Sequence, residues 1–211
     1  MIGLELQNIE ISLQGKKLLN VDAVIKPSTT LTLMGPSGVG KSSLLAYVGG
    51  FLGPDFSATG NVVLNGRDIA TLPPQARRTG ILFQDPLLFP HMSVGENLLF
   101  AVPQTIVGKS RTENVEEALA RVGLEGYLER DPATLSGGQK ARVALVRVLL
   151  SQPSVLLLDE PFSKLDAGLR GQIRSLVFKE AELQNLPTIL VTHDEEDATA
   201  AGGQLIRLSQ E

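Results

Sequence analysis

From the start of the chain, Leu4 and Leu6, then Ile9, Ile11 and Leu13, alternate with polar residues. A period of two predicts a half-buried strand, and the phase slip at Gln7–Asn8 marks a bulge. Gln14–Gly15–Lys16–Lys17 predicts a turn into a second strand over Leu18–Ile25. Leu31–Met34 is a short apolar strand running straight into a glycine loop, and Lys41–Val48 follows with a helical pattern. Asn61–Asn65 reads as a further strand closed by Asn65–Gly66, a strong turn dipeptide.

The middle of the chain changes period. Ser110–Arg111–Thr112–Glu113 matches a capping box, and Val115, Ala118, Leu119 and Val122 follow at helical spacing. Ser136 precedes a second helical pattern that runs to about Leu150, so 86–150 reads as a mostly helical insert. Buried strands return with Val155–Asp159 and Ile189–Thr192, whose continuous apolar runs suit parallel strands covered on both faces. Between them, Asp166 is placed to cap a helix carrying Leu169, Ile173, Leu176, Val177 and Glu180. Strands alternating with helices imply an α/β fold with right-handed crossovers. No internal repeat, low-complexity tract or linker interrupts the 211 residues, which predicts one folded body.

Composition narrows the functions. Hydrophobic residues make up 43% and charged residues 20%, the balance of a folded chain. Twenty-one glycines against two tyrosines, seven phenylalanines and no tryptophan favour backbone-lined sites over stacking platforms. A net charge of -4 supplies no general basic field, so nucleic acid is not an expected partner. The absence of cysteine excludes disulfides, thiolate metal sites and cysteine nucleophiles. The opening MIGLELQNIEISL lacks the features of a signal peptide. The longest apolar stretches, such as Val143–Leu150, fall far short of the ~20 residues of a membrane-spanning helix.

Three segments carry chemistry. Gly35–Pro36–Ser37–Gly38–Val39–Gly40–Lys41–Ser42 fits the phosphate-loop pattern between an apolar strand and a helix. Its glycines let backbone N–H groups curl around phosphate oxygens, and the helix N-terminus adds its dipole. Lys41 is placed for the β- and γ-phosphates, Ser42 for Mg²⁺ and Ser43 for the α-phosphate. Chance produces this pattern in roughly one of a hundred chains this long, and the correct flanks lower that figure. Val155–Glu160 puts Asp159 and Glu160 at the carboxyl end of a buried strand, where ligands of open α/β sheets bind. Asp159 suits Mg²⁺ and Glu160 suits an attacking water. A solvated acidic turn is the bland reading, and it weakens beside a phosphate loop. Leu135–Ser136–Gly137–Gly138–Gln139 opens a helix with a serine and two small residues, a second anion-binding N-terminus. Taken alone, an ordinary capped helix start is the better explanation, yet one nucleotide has no obvious need of a second cradle in the same chain.

Here the chain resembles the ATP-binding subunits of ABC transporters, those of bacterial importers in particular, over essentially its whole length. Gly35–Ser42 resembles the Walker A loop, Gln84 in ILFQD the Q-loop glutamine and Leu135–Gln139 the signature motif. Val155–Glu160 resembles Walker B, Ser163–Lys164–Leu165–Asp166 the D-loop, and His193 in VTHDEED the switch histidine. The stretch from Thr71 to Phe100 is similar to importer ATPases as opposed to exporters.

The resemblance implies a P-loop NTPase (RecA-like) core with an N-terminal antiparallel β subdomain, over 1–85 and 151–211. It implies a helical subdomain carrying the signature over 86–150. It further implies ATP and Mg²⁺ as cofactors, with Ser42, Gln84 and Asp159 at the metal. Lys41, Gln84, Glu160 and His193 are the implied catalytic residues. Two copies would sandwich ATP, each nucleotide held by one chain's Walker A and the other's Ser136–Gly138, with Ser163 and Asp166 at the D-loop. The remaining implied partners are transmembrane permease subunits and a solute-binding protein, which places the chain on the cytoplasmic face of the cell membrane. Leu87, Leu88, Phe89 and Met92, an apolar cluster after Gln84, are the expected permease dock, with burial in the core as the alternative.

Two positions depart from the family pattern. Leu13 stands where an aromatic residue stacks on adenine, and no aromatic precedes Tyr47. Lys164 stands where the D-loop usually has a small residue. Residues 194–211 are too few for the C-terminal regulatory domain of many importer ATPases. A soluble ABC ATPase of translation, repair or assembly is the alternative, though paired cassettes, long coiled coils and cysteine-rich additions are missing. A small-molecule P-loop kinase leaves the signature and His193 unexplained.

Overall fold

The computed structural model describes residues 3–209, which form two compact units. Of the described residues, the first comprises those up to Ile81, Ser154–Glu160 and those from Phe178 onward; the second comprises Leu82–Pro153 and Pro161–Val177.

The first unit is built on two sheets. One has the order β2-β1-β4-β5, with β1 (Leu4–Leu13), β2 (Lys16–Ile25), β4 (Phe56–Leu64) and β5 (Arg67–Asp68) pairing antiparallel. The slip at Gln7–Asn8 is a true bulge: the register of β1 shifts there against both neighbours, and Asn8 has φ 51°. The bulge presses its backbone against Gly60 of β4, where a Cβ would lie 2.6 Å from the Gln7 carbonyl oxygen, so only glycine fits. β4 begins at Phe56, five residues before the strand that the alternation predicts, because pairing with β1 extends it over Phe56, Ser57, Ala58 and Thr59.

The second sheet has the order β6-β7-β8-β3-β9. Its strands are β3 (Thr30–Met34), β6 (Thr79–Leu82), β7 (Val155–Asp159), β8 (Thr188–Val191) and β9 (Gln204–Arg207). β3 runs parallel to β8 and β9, and β7 parallel to β8. All five residues of β3 are buried, as are the first four of β7, which is why their sequences run apolar without alternation. α1 (Lys41–Gly49) buries Leu44, Leu45 and Val48 in the same core as Leu31, Leu33, Leu157 and Ile189. Arg77, 6% exposed, donates to the carbonyls of Tyr47 and Val48 in the last turn of α1 and to those of Leu72 and Ala70. The guanidinium thus anchors the far end of α1, sharing the Tyr47 carbonyl with the N–H of the cap residue Gly50. α6 (Glu195–Ala201) completes this unit.

The second unit packs α2 (Val94–Leu99), α3 (Lys109–Arg121) and α4 (Gly137–Leu150) around Val94, Leu98, Val115, Leu119, Val143 and Val146. α5 (Ala167–Leu183) starts in this unit. The capping box expected at Ser110–Glu113 is not formed. α3 starts at Lys109 with Gly108 as its cap residue and no side-chain cap. Arg111 donates to the carbonyls of Leu99, Pro103 and Ile106, and this clamp starts the helix early enough to put Ser110 inside it. Capping boxes do form at Ser93–Glu96 and at Ser136–Gln139, each side chain contributing about 0.5–2 kcal/mol.

Candidate active site

The phosphate loop follows β3 without a break. Gly40, the residue before α1, has φ 95°, and a Cβ there would lie 2.9 Å from Leu19 Cδ2 and 3.1 Å from Leu18 Cβ. Conformation and space both require glycine at that point. The Lys41 side chain is buried and curls back along the loop, its ammonium donating to the carbonyls of Gly35 and Pro36 at 2.8 Å each. Ser37, Gly38, Gly40, Lys41, Ser42, Ser43 and Glu160 line one side of a cleft of about 300 Å³. The N-terminus of α1 thus aims its amide dipoles at a cleft that carries the ammonium of Lys41, an arrangement suited to an oligophosphate.

Register explains how distant residues meet here. Leu33 of β3 and Asp159 of β7 both pair with Val191 of β8, so three strand ends lie level. Ser42 Oγ donates to Asp159 Oδ1 at 2.9 Å. Burial raises the Asp159 pKa above its ordinary value, helped by the charge of Glu160 and opposed by the Ser42 hydrogen bond and Lys41. Glu160 is held at φ 45° by its N–H donating to the Val191 carbonyl at 2.9 Å. A non-glycine residue in that region costs about 1–3 kcal/mol. The turn aims its carboxylate at His193, whose Nδ1 lies 3.3 Å from Glu160 Oε2.

His193 is exposed, but its neighbours are not. Thr192 donates its N–H to the Leu33 carbonyl and its hydroxyl to the buried Asp197 at 3.1 Å. Asp194 donates its N–H back to the Thr192 hydroxyl and caps α6 through the amide of Glu196. The histidine therefore sits on a stretch of backbone fixed on both sides. Asp197 was missed by sequence reasoning, though its place three residues after the cap residue of α6 was a usable signal.

Among the described residues no cluster of three or more histidine or acidic side chains can hold a metal. A divalent ion here would take the Ser42 hydroxyl and the Asp159 carboxylate, with phosphate oxygens completing its shell. An all-oxygen set of that kind fits Mg²⁺.

The remaining predicted residues belong to the second unit. Gln84 and Gly137 line a cavity of about 170 Å³ together with Lys140, Lys164 and Leu165. Lys164 forms an ion pair with Asp85, joining the segment after Gln84 to the Ser163–Asp166 turn. Asp166 caps α5 through the amide of Leu169 at 3.0 Å, as expected. Leu135 is buried, Ser136 caps α4, and Gln139 also donates to the Tyr127 hydroxyl. A Cβ on Gly138 would collide with Leu169, whereas one on Gly137 would meet nothing within 4 Å. Leu87 is 57% exposed, while Leu88 packs against the helical core and Phe89 stacks edge-on to Phe100. Two residues not singled out in the sequence shape this loop. Arg147 donates to the carbonyls of Pro86 and Leu87, and buried Asn97 bonds to Phe89, Met92 and Ser93.

Residues 18–163 match the family model described as ABC transporter. The chain belongs to the ABC transporter family. It is 51% identical over 195 residues to the uncharacterized ABC transporter ATP-binding protein YnjD of Escherichia coli, covering 92% of this chain and 90% of that protein. It is 45% identical over 196 residues to the thiamine import ATP-binding protein ThiQ of Jannaschia sp., covering 92% and 84%. Its fold matches the ATP-binding cassette MJ0796, a dimer in a post-hydrolysis state bound to ADP and Pi. The TM-score is 0.79 at 30% identity over 97% of this chain and 94% of that one. This ABC ATPase therefore has the expected P-loop NTPase core, binds ATP and hydrolyses it.

Proposed function

We propose that the ABC ATPase works as a head-to-tail pair of copies and drives import through separate membrane permease subunits. The observation that carries the pairing is the open helix start at Gly137. Its missing side chain serves no packing need within its own chain, yet it bares an N-terminus able to receive an anion. A phosphate held by the partner's Walker A loop supplies that anion. The dimeric MJ0796 cassette supports the arrangement.

In each composite site Lys41 and the loop amides between Gly35 and Ser43 bind the phosphates, while Ser42 and Asp159 would hold Mg²⁺. When bound there, the ion would supply charge neutralisation to the phosphates. Glu160 accepts a hydrogen bond from the attacking water, and His193 steadies the carboxylate and faces the γ-phosphate. Ser163 and Asp166 carry the state of one site to the other copy. The 211 residues act as one ATPase domain, with 86–150 as its helical part.

The ThiQ relative's import role supports a permease partner, with a solute-binding protein delivering cargo outside. No described helix is long and apolar enough to cross a membrane, so a dock for the permease is needed. Exposed Leu87, with Leu88, Phe89 and Met92 behind it, forms that dock on the cytoplasmic face of the membrane.

Complementation tests the pairing. Lys41→Ala and Ser136→Arg chains are each expected to lack Mg-ATP-dependent dimers. Mixed one to one, they regain one intact composite site and form ATP-dependent heterodimers on size exclusion. No heterodimer at any ratio would refute the composite site.

A further inference from the structure

The cleft beside the phosphate loop has a second, apolar lining made of Leu13, Leu18 and Phe56. Phe56 carries the one aromatic ring among the residues that line it. It comes from β4, directly opposite Leu13 in the antiparallel pair with β1. The position is built and not incidental. The amide of Phe56 donates to the Gly53 carbonyl, and that of Gln14 to the carbonyl of Asp55, so the start of β4 is pinned beside the end of β1. Phe56 packs against the buried core of its unit and is half-buried, which fixes the ring while leaving part of it in the cleft. Leu18 abuts the phosphate loop itself, since a Cβ at Gly40 would touch its Cβ at 3.1 Å. The apolar lining and the phosphate cradle are therefore contiguous.

We infer that Phe56, carried on the neighbouring strand and not on β1, is the residue on which the nucleotide base stacks, and that this site accepts purine nucleoside triphosphates without strong preference for adenine. The inference rests on the reading of Gly35–Ser43 as the triphosphate site. Leu13, Leu18 and Phe56 offer surface and a π-face but no side-chain donor or acceptor for the base edge. Stacking is tolerant of base identity because every base has a π-face, and its strength grows with ring area. Discrimination between ATP and GTP requires hydrogen bonds to the edge, which these three side chains cannot make. Phosphate contacts then set most of the affinity, with the ring adding a contribution common to both purines.

The experiment measures binding of Mg-ATP, Mg-GTP and Mg-tripolyphosphate by calorimetry, the last having phosphates and no base. In the unaltered protein ATP and GTP are expected to bind within about tenfold of each other, a gap of ~1.4 kcal/mol. Phe56→Ala weakens both nucleotides by about 5–150-fold, the range for loss of one base–aromatic stack. It leaves tripolyphosphate unchanged. Phe56→Leu keeps the apolar packing and shows the same selective loss, which separates stacking from folding; Phe56→Trp retains binding. Equal weakening of tripolyphosphate and ATP in both Phe56→Ala and Phe56→Leu would overturn the inference, since Phe56 would then merely shape the loop. Unchanged nucleotide binding in Phe56→Ala would overturn it as well, and so would a thousandfold preference for ATP over GTP. Lys41→Ala, run alongside, weakens all three ligands. If it leaves tripolyphosphate untouched, the phosphate-loop reading has failed and not the assignment of the ring.

Discussion

Adjacent glycines at the start of α4 should respond to the same substitution in opposite ways. Gly138 lacks room: an added Cβ would lie 2.8 Å from Leu169 Cγ and 2.9 Å from its Cδ1, and nearer still to Cδ2. Leu169 must move, and such overpacking costs about 1–3 kcal/mol. At 2–4 °C per kcal/mol for a chain of this size, Gly138→Ala should melt ~2–12 °C lower. Gly137 has nothing within 4 Å of the same added atom and no positive φ. Replacing a helical glycine by alanine there removes unfolded-state freedom and stabilises by up to about 0.5–1 kcal/mol, or ~1–4 °C. If the bared N-terminus receives the partner's γ-phosphate, the new methyl group holds that phosphate away and turnover falls about tenfold or more, equivalent to ~1.4 kcal/mol in the barrier. The assay pairs thermal melts of nucleotide-free protein with steady-state ATPase rates. Gly137→Ala that is at least as stable as the original and hydrolyses ATP at full rate would refute the reasoning.

Asp159→Asn keeps an acceptor for Ser42 but removes a half-buried charge, so nucleotide-free protein should melt higher at pH 7–8 while Mg-dependent turnover falls by ~100-fold or more. The sign follows from the raised pKa: above the ordinary value of 3.8 the folded chain holds the proton more tightly than the unfolded chain. Stability of the original protein therefore falls as pH rises through that window, and the melting advantage of Asp159→Asn should open there and level off above it. Leu87→Ser alters a side chain that is 57% exposed, so the melting point should stay within ~2 °C and basal ATPase should hold, while capture of permease subunits drops at least about tenfold. Unaltered capture in a pull-down would move the dock elsewhere.

The chemistry was legible where it is written contiguously. Gly35–Ser42, Leu135–Gln139 and Val155–Glu160 each declare a backbone shape and a charge within a few residues, and each sits where its strand or helix was expected. The bulge at Asn8 showed as a broken alternation for the same local reason. What depended on pairing between distant segments was hidden. Phe56 faces Leu13 only through the β1–β4 register, and its strand begins FSATG, which has too little apolar alternation to announce itself. Arg111 starts α3 early through carbonyls of the preceding loop, against the local preference of Ser110. Arg147 supports the loop at Pro86–Leu87 from sixty residues away in the chain. β9, mostly exposed, is a strand because β3 pairs with it and not because of its own pattern.

In the proposed mechanism Glu160, aimed by its strained turn and by His193, activates the water that cleaves ATP bound between two copies. Glu160→Gln tests it most directly, because the amide keeps the shape and cannot accept the proton. ATPase rate and Mg-ATP-dependent elution on size exclusion are measured on the same preparation. The expected result is unimpaired ATP binding, turnover lower by about 100-fold or more, and accumulation of an ATP-bound dimer. Hydrolysis at the original rate, or a chain that stays monomeric with ATP bound, would contradict it.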